Sequence, residues 1–336
     1  APYELVEKMR ASVVVLGPLL ARFGEARVAL PGGDDFGSRP IDIHLRALTE
    51  LGAQIETRRG FVVARCDQLL GTRVILDFPS VTATENVLMA AVRAKGTTVI
   101  DNAAREPEVA DLAAFLNRMG ARIVGAGTST ISVEGVQEHE LGAVDHTIIP
   151  DRIEAATFLA AVGVAGGEIT LTGARPDHMD MLCLKLGDMG MRISPAPDGL
   201  WAMVTRRLTS VDVSTLPYPG IATDYLPMLV AVMCLADGTS YATENVFAGR
   251  FRYVGELARM GADIRVEGHH LVIDGVERLS GAPVRAVDIR AGAAMAIAAL
   301  AADGETTIHD AGPIDRGYES FVDKLSGLGA DITRQD

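Results

Sequence analysis

The pentapeptide Leu51-Gly52-Ala53-Gln54-Ile55 recurs with small changes at four later points in the chain. The later copies begin at Met119, Met189, Met260 and Leu328, which spaces the five copies about 70 residues apart. Each copy closes a stretch with helical apolar spacing and leads into a run of β-branched residues. The glycine therefore predicts the end of a helix, and the residues after it predict a strand.

Upstream of each copy lies another predicted helix that is rich in small apolar residues. These helices are predicted over Ala11–Phe23, Thr84–Ala94, Ile153–Ala165, Tyr225–Ala236 and Ala291–Ala302. Each is followed by a glycine and a short strand, so the order strand, helix, strand, helix, strand, strand repeats. We expect five such units, whose helices can be buried only against those of neighbouring units.

The composition favours a soluble globular protein with a large core, since 48% of the 336 residues are hydrophobic. The 44 acidic residues outnumber the 31 basic ones and give a formal net charge of −13. This balance argues against a nucleic-acid partner, although it allows a local basic pocket for a small anion. The longest apolar stretches are too short to cross a bilayer, so we expect a cytoplasmic protein with no membrane partner.

The three cysteines, Cys66, Cys183 and Cys234, have neither paired spacing nor histidines beside them. We predict that they are reduced core residues and that the protein has no metal site. The pair His269-His270 lies between two strand-like runs and predicts a hairpin turn.

The stretch Leu30-Pro-Gly-Gly-Asp-Asp-Phe-Gly-Ser-Arg-Pro-Ile-Asp-Ile-His44 is the segment richest in chemistry. Its glycines allow a loop to pass close to a ligand, and Arg39 can bind a carboxylate or phosphate through two hydrogen bonds. An ordinary turn with solvated Asp34 and Asp35 is the simpler explanation of an isolated Gly-Gly-Asp.

Other charged residues stand beside predicted helix starts. Taken alone, Asp224 predicts a helix N-cap and Arg290 a surface charge. Arg316 lies in the run Asp315–Glu319, at the expected start of the second helix of the last unit. Together with Arg39 and Arg290, Arg316 could converge on one doubly charged anion.

Several of these motifs, taken together, resemble the enolpyruvyl transferases over the whole chain. The motifs are Leu30–Asp34 with Gly37–Pro40, Asn102–Glu108, Pro150–Glu154, Thr223-Asp224, Asp288–Arg290 and Asp315–Glu319. The Leu-Pro-Gly-Gly loop with an acid at Asp34 is typical of the nucleotide-sugar branch rather than of the shikimate branch. A related class, the RNA 3′-terminal phosphate cyclases, would need a nucleotidylated histidine and a basic face, which the sequence lacks.

The resemblance implies an inside-out α/β barrel fold, with two domains of three units each, helices inside and sheets outside. We expect the first domain over residues 1–148 and the second over residues 149–336, with the active site in the cleft between them. Five of the six units are accounted for, and a sixth is expected before the first residue. A Lys-Asn pair that takes part in catalysis in the family belongs to that unit.

The activity implied is transfer of the enolpyruvyl group from phosphoenolpyruvate to the 3-hydroxyl of UDP-N-acetylglucosamine, without a cofactor. By resemblance, Asp34 is the general acid toward C3, and Asp224 accepts the proton of the attacking hydroxyl. Arg39, Arg290 and Arg316 would hold phosphoenolpyruvate. Many family members carry a cysteine at the position of Asp34, so we expect this protein to be insensitive to fosfomycin, which alkylates that thiol.

The nucleotide sugar would contact a larger set of residues. By resemblance these are Arg10, Pro40, Ile41, Asp42, Ile43, His44, Ser80, Val81, Thr82, Asp224 and Val246. The sequence departs from the family pattern at Thr82, Ala222, Ala248 and Pro313. These departures leave open a relative that acts on another uridine nucleotide, such as UMP, or a protein without catalytic activity.

Overall fold

Five helices of the protein end with the same backbone geometry. The structure is a computed structural model. The structure describes residues 6, 9–30, 32, 41–247 and 249–335. The glycines of the five pentapeptide copies have positive φ angles: Gly52 100°, Gly120 119°, Gly190 105°, Gly261 90° and Gly329 100°. Only glycine adopts such angles without strain, so the predicted helix ends are confirmed.

Backbone hydrogen bonds at these ends complete the pattern. The residue after each glycine donates its N–H to the carbonyl oxygen of a leucine five positions earlier, at 3.0–3.1 Å. These leucines are Leu48, Leu116, Leu186, Leu257 and Leu325. This is the Schellman arrangement, in which a helix end satisfies its last carbonyl groups before the chain turns into a strand.

The described residues contain eleven α-helices. They are α1 Leu16–Phe23, α2 Asp42–Glu50, α3 Val81–Ala91, α4 Pro107–Met119, α5 Arg152–Ala165, α6 Asp180–Asp188, α7 Leu226–Met233, α8 Arg252–Arg259, α9 Ile289–Ala299, α10 Gly312–Gly317 and α11 Phe321–Gly327. A 3₁₀ helix, Arg10–Val15, precedes α1. The small-residue helices predicted from the sequence are all present. Their ends differ from the predicted ones by at most three residues, except that α1 begins at Leu16 rather than at Ala11, because the 3₁₀ helix takes up the preceding residues.

Eighteen strands are present in the same described ranges. They are β1 Glu25–Ala29, β2 Gln54–Arg58, β3 Phe61–Arg65, β4 Arg73–Ile75, β5 Thr97–Asp101, β6 Arg122–Val124, β7 Thr130–Glu134, β8 Gly167–Thr172, β9 Arg192–Ala196, β10 Gly199–Val204, β11 Val213–Ser214, β12 Thr239–Thr243, β13 Asp263–Glu267, β14 His270–Asp274, β15 Leu279–Ser280, β16 Pro283–Arg285, β17 Ala302–Asp303 and β18 Thr307–His309. The predicted turn at His269-His270 joins β13 and β14, with His270 as the first residue of β14.

Sheet topology shows the repeat directly. Two four-stranded sheets have the same order, β4-β5-β7-β6 and β11-β12-β14-β13, with one parallel pair and two antiparallel pairs in each. These two repeats are complete. Two others form three-stranded antiparallel sheets, and in the fifth only two short parallel pairs are present among the described residues. The predicted six-element order is therefore complete in two of the five units.

The chain divides into two compact units, the first ending at Ile149 and the second beginning at Pro150. Each unit has its own apolar core, and the small-residue helices form its centre. All eight residues of α7 are buried, as are eight of the eleven in α9. In the second unit α5, α7 and α9 pack against one another in pairs. Helices thus lie inside and sheets outside within each unit, as the family resemblance implies.

The remaining expectations concern cysteines, metals and membranes. All three cysteines are free; Cys234 is buried, whereas Cys66 and Cys183 are only partly buried. In the described part of the chain, no cluster of His, Cys, Asp and Glu is arranged to hold a metal ion. Within the same ranges every helix is too short or too polar to cross a lipid bilayer.

Candidate active site

The N-terminal ends of the inner helices of the second unit carry the charged residues of the candidate site. Asp151 caps α5 by accepting from the backbone N–H groups of Ile153 and Glu154 at 2.7 and 3.2 Å. Asp288 caps α9 in the same way, at 2.8 and 2.9 Å. The 3₁₀ turn Thr223–Tyr225 leads into α7 and carries Asp224. N-terminal helix ends have positive partial charge, so this end of the helix bundle suits an anion.

Asp224 lies between two arginines. Its Oδ1 accepts a hydrogen bond from Nη1 of Arg250 at 2.6 Å, and its Oδ2 accepts one from Nε of Arg290 at 3.4 Å. The side chains of Arg250 and Arg290 are only 3% and 15% exposed, whereas that of Asp224 is 36% exposed. The carboxylate therefore forms the accessible surface of a largely buried charge cluster.

Electrostatics keep both guanidinium groups charged. Burial opposes the charge of Arg250, but the carboxylates of Asp224, Asp288 and Glu244 outweigh it and hold the pKa of Arg250 above its ordinary value. Burial also opposes the charge of Arg290, yet Asp224 and Tyr318 raise its pKa. Paired burial of this kind is needed because an isolated buried charge costs several kcal/mol.

One donor atom of Arg290 is not used by the described residues. Nη1 of Arg290 is buried and makes no hydrogen bond to any residue within the described ranges. The guanidinium lies 5.2 Å from the centre of the Tyr318 ring, in a cation–π contact. The Tyr318 hydroxyl lies 2.9 Å from Oγ1 of Thr157, and burial raises the pKa of Tyr318. Arg290 is thus held by Asp224 and Tyr318, and its Nη1 can still donate to a ligand.

Glu244 forms a second centre of hydrogen bonds beside Asp224. It follows β12, is 1% exposed, and accepts from the hydroxyls of Thr215 and Thr223 at 2.8 and 2.7 Å. It also accepts from the backbone N–H groups of Val246 and Phe247 at 2.7 and 3.0 Å. The carboxylate therefore fixes the loop that carries Val246 against the turn that carries Asp224.

The structure differs from the simplest sequence interpretation of these residues. Asp224 does not cap α7 but pairs with arginines, and Arg290 is largely buried, with its side chain 15% exposed, rather than a surface charge. Arg316 is exposed and lies on the separate short helix α10, whereas the second helix of the last unit, α11, begins at Phe321. Its convergence with Arg290 stays a prediction.

Sequence reasoning missed Arg250 and Glu244 as parts of the site. Both sit in the run Thr243–Arg250, which reads as a polar loop after a strand. The available signal was an acidic residue directly after a buried strand and a basic residue at the start of the next helix. Their mutual contact depends on a loop conformation that apolar periodicity does not encode.

In the first unit, His44 lies at the centre of a buried polar network. Oδ1 of Asn86 accepts from the Gly17 N–H at 2.6 Å, and Nδ2 donates to the Val13 carbonyl at 3.0 Å. These backbone partners fix the orientation of the amide, so that its Nδ2 also faces Nδ1 of His44 at 3.0 Å. Nδ1 of His44 must then accept, which leaves the proton on Nε2, 3.3 Å from Oγ1 of Thr82.

Five other predicted nucleotide-sugar residues of the first unit stand at the starts of α2 and α3. Ser80 caps α3, while Val81 and Thr82 form the first turn of that helix. Ile41, Asp42 and Ile43 begin α2 on the other side of His44. His44 is buried, at 4% exposed, and its contacts bring the starts of α2 and α3 together.

Some predicted residues cannot be placed. Asp34, Arg39, Pro40 and Ala248 lie outside the described residues, as does the side chain of Arg10.

Two of the departures from the family pattern have a simple structural setting. Thr82 contacts His44, and Pro313 lies in the first turn of α10, where a proline fits because its missing N–H needs no partner. Ala222 directly precedes the turn that carries Asp224. Nothing in the structure explains why alanine stands at that position.

Comparison with known proteins identifies the class. The sequence model of the EPSP synthase (3-phosphoshikimate 1-carboxyvinyltransferase) family matches residues 1–325. The chain therefore belongs to this family of carboxyvinyl, or enolpyruvyl, transferases, and the resemblance inferred from its motifs is confirmed.

Within the family, the chain is similar to proteins named UDP-N-acetylglucosamine 1-carboxyvinyltransferase. It is 53% identical to one from Symbiobacterium thermophilum over 332 residues, which cover 98% of this chain and 75% of that protein. It is 50% identical to one from Caldanaerobacter subterraneus subsp. tengcongensis over 335 residues, covering 100% of this chain and 80% of that protein.

Solved structures agree on the fold. The enolpyruvyl transferase NikO from Streptomyces tendae matches with a TM-score of 0.88 and 29% identity, over 99% of this chain and 79% of that one. EPSP synthase from Acinetobacter baumannii matches with a TM-score of 0.76 and 20% identity, over 98% and 79% of the two chains. The predicted enolpyruvyl transferase fold is thus confirmed.

Proposed function

We propose that this protein transfers the enolpyruvyl group of phosphoenolpyruvate to the 3-hydroxyl of UDP-N-acetylglucosamine and releases phosphate. The observation that carries the proposal is identity of 50–53% over nearly the whole chain to proteins named for this reaction. The reaction supplies peptidoglycan synthesis, and we place it in the cytoplasm. It needs no cofactor, and neither nucleic acid nor a membrane takes part.

The chemistry has two stages. The sugar hydroxyl oxygen bonds to C2 of phosphoenolpyruvate while C3 gains a proton, which gives a tetrahedral phospho-ketal. Loss of a proton from C3 and cleavage of the C2–O bond to phosphate then restore the double bond. One group must give and retake the C3 proton, and another must accept the hydroxyl proton.

We assign the second of these tasks to Asp224. Its carboxylate is the accessible part of the charge cluster, and a carboxylate oxygen that accepts one guanidinium N–H keeps a second lone pair. The hydrogen bonds from Arg250 and Arg290 hold the group in one orientation. Asp34 is assigned the acid role at C3 on the motif alone.

Arg290 is assigned to phosphoenolpyruvate. Its buried Nη1 has no acceptor among the described residues, and it lies beside the N-terminal end of α9. A carboxylate or phosphate oxygen at that point would gain a charged hydrogen bond and the positive end of the helix dipole. Arg39 and Arg316 would bind the other end of the same anion.

The nucleotide sugar is assigned to the starts of α2 and α3 and to Val246. The N–H of Val246 is already donated to Glu244, so this residue would contact the ligand through its carbonyl oxygen or side chain. In the first unit, His44 and Thr82 present polar groups whose orientation Asn86 fixes from inside. These assignments, together with Arg10 and Pro40, rest on the motif resemblance.

A second candidate is transfer to another uridine nucleotide. It is favoured by the departures from the family pattern at Thr82, Ala222 and Pro313. Transfer to UMP would use the same chemistry at phosphoenolpyruvate and a different acceptor hydroxyl.

The test is phosphate release from phosphoenolpyruvate by the full-length protein, with UDP-N-acetylglucosamine, UMP or shikimate 3-phosphate as the acceptor. Variants Asp34→Asn and Asp224→Asn should each lower kcat by about 100-fold or more, since each loses a proton-transfer group. Asp303→Asn, at an exposed position on β17, is the matched control and should leave kcat unchanged. Release with UMP alone would favour the second candidate, and no release with any acceptor would contradict both.

A further inference from the structure

The buried carboxylate of Glu244 accepts four hydrogen bonds, so its position and the positions of its donors are fixed together. Its carboxylate is 1% exposed, and its contacts with Thr215, Thr223, Val246 and Phe247 are all made by donors. An ionised carboxylate is an acceptor only, so four donors suit the charged form. The second carboxylate of this region, Asp224, is by contrast exposed toward the site.

The hydroxyl of Thr223 connects the two carboxylates. It donates its single proton to Oε2 of Glu244 at 2.7 Å, so it can only accept from Nη1 of Arg250, which lies 3.0 Å away. The same Nη1 donates its other proton to Oδ1 of Asp224 at 2.6 Å. Guanidinium groups only donate and ionised carboxylates only accept, so the Thr223 hydroxyl is the one group here whose direction can vary, and Glu244 sets it.

We propose that Glu244 is a positioning residue for Asp224, acting through Thr223 and Arg250. By fixing the direction of the Thr223 hydroxyl, Glu244 keeps Nη1 of Arg250 directed at both Thr223 and Asp224. The carboxylate that accepts the proton of the attacking hydroxyl is thus held in one orientation. This inference rests on the proposed function for its effect on rate, whereas its structural part stands on the contacts alone.

The variant Glu244→Gln tests the direction of the hydrogen bonds while keeping the shape of the side chain. Oε1 receives three donors, so the glutamine oxygen will take that position and its NH₂ group will face Thr223. The Thr223 hydroxyl must then accept from the glutamine NH₂, and its own proton loses the acceptor that fixes its direction. We expect the hydroxyl to rotate, to weaken its contact with Nη1 of Arg250, and so to let Arg250 move away from Asp224.

Thr223→Val removes the connecting hydroxyl and leaves the other three bonds of Glu244 intact, so it answers the concern that Glu244→Gln alters folding. Thr223→Ser keeps the hydroxyl and is the conservative rescue. We expect Glu244→Gln and Thr223→Val each to lower kcat by about 10- to 100-fold, with KM for phosphoenolpyruvate changed less than about threefold. Thr223→Ser should stay close to wild type.

Because both groups act along one path, the double variant Glu244→Gln/Thr223→Val should be no slower than the poorer single variant. A matched control is Glu267→Gln, which changes an exposed carboxylate at the end of β13 and should have no effect. Losses that multiply in the double variant, or a Thr223→Val enzyme within twofold of wild-type kcat, would overturn the inference.

A second measurement separates this inference from the proposed function. Crystal structures of the full-length Glu244→Gln and Thr223→Val proteins should show the distance from Arg250 Nη1 to Asp224 Oδ1 lengthened from 2.6 Å to beyond hydrogen-bond range. An unchanged distance in both variants would refute the positioning role. If the wild-type protein releases no phosphate with UDP-N-acetylglucosamine, the proposed function fails and this distance alone decides the inference.

Discussion

Arg290 shows how one side chain joins structure and function. Its Nε binds Asp224, its planar group lies over the Tyr318 ring, and its Nη1 has no protein acceptor in the described ranges. A lysine would keep the charge, but it has neither the planar fork nor the stacking face. The position therefore calls for arginine specifically. Taken alone, its place in the sequence predicts only a surface cation, and it was the motif resemblance that singled it out.

We predict that Arg290→Lys raises KM for phosphoenolpyruvate by about 10-fold or more, because a lysine cannot bind Asp224, stack on Tyr318 and still direct a donor at the anion. Initial-rate kinetics with phosphoenolpyruvate varied at saturating acceptor measure the change. The control is Arg285→Lys, at an exposed arginine that pairs with Asp310. Equal KM values for the Arg290→Lys and wild-type enzymes would show that Arg290 does not bind this substrate.

Glu85 on α3 gives a prediction about pH. Burial raises its pKa from 4.5 to about 7, and the charges of Glu108 and Glu106 act in the same direction. Between these pH values the folded protein holds a proton that the unfolded chain releases, so the contribution of Glu85 to stability falls as the pH rises. The loss is nearly complete by about pH 8 and amounts to about 3 kcal/mol.

We therefore expect Glu85→Gln to be more stable than wild type at pH 8 and to differ little from it at pH 4.5. Urea unfolding at several pH values measures both free energies of unfolding. Glu50→Gln, at an exposed site on α2, should leave the pH dependence as it is. If the free energy of unfolding changes with pH in the same way for wild type and Glu85→Gln between pH 4.5 and pH 8, the raised pKa of Glu85 is contradicted.

At the scale of single elements, the pentapeptide glycines set where helices end. Gly261 follows α8 with φ of 90°, and a Cβ built there would touch nothing within 4 Å. Gly255 lies inside α8, where a Cβ would also meet nothing within 4 Å. At both positions an added Cβ meets no clash, and only Gly261 has a positive φ. A difference between the two alanine variants therefore reports the effect of backbone conformation on stability.

We predict that Gly261→Ala lowers the free energy of unfolding by about 1 to 2 kcal/mol, because alanine resists a positive φ. Gly255→Ala should instead raise it by about 0.5 to 1 kcal/mol, since alanine favours a helix over glycine. Urea denaturation of both variants gives the comparison. Two changes of the same sign would show that the repeated glycine is not selected for its conformation.

Elements were predictable because their signals are local. A glycine after a leucine-rich helical stretch encodes its own turn, so the helix ends and the inner helices followed from the sequence. The short strands β15 to β18 did not, since strands of two or three residues have no measurable alternation. The last unit was predicted as a complete repeat, and Arg316 was predicted at the start of its second helix. In the structure Arg316 lies on the separate helix α10, before the second helix α11.

At the scale of the whole molecule, the sequence predicted the fold family but only part of the site. Repeats and motif order lie in the linear sequence, and they pointed to the enolpyruvyl transferases. The Asp224–Arg250–Arg290 cluster depends on which helix ends meet, which no local pattern states. Asp34 and Arg39, the residues with the strongest motif signal, lie outside the described residues and remain predictions.

The two units have separate apolar cores, with buried residues of the first drawn from positions 16–136 and those of the second from positions 153–325. Leu88 on α3 and Leu229 on α7 are matched, each almost fully buried on an inner helix. Replacement of either by alanine should lower the free energy of unfolding by about 2 to 5 kcal/mol, because a cavity remains in a close-packed core.

We expect the loss of stability to stay within the unit concerned. Leu88→Ala should speed amide exchange in β5 and β7, and Leu229→Ala should speed it in β12 and β14. Hydrogen exchange followed by mass spectrometry measures both, and equal acceleration in both units would show that the two cores unfold as one.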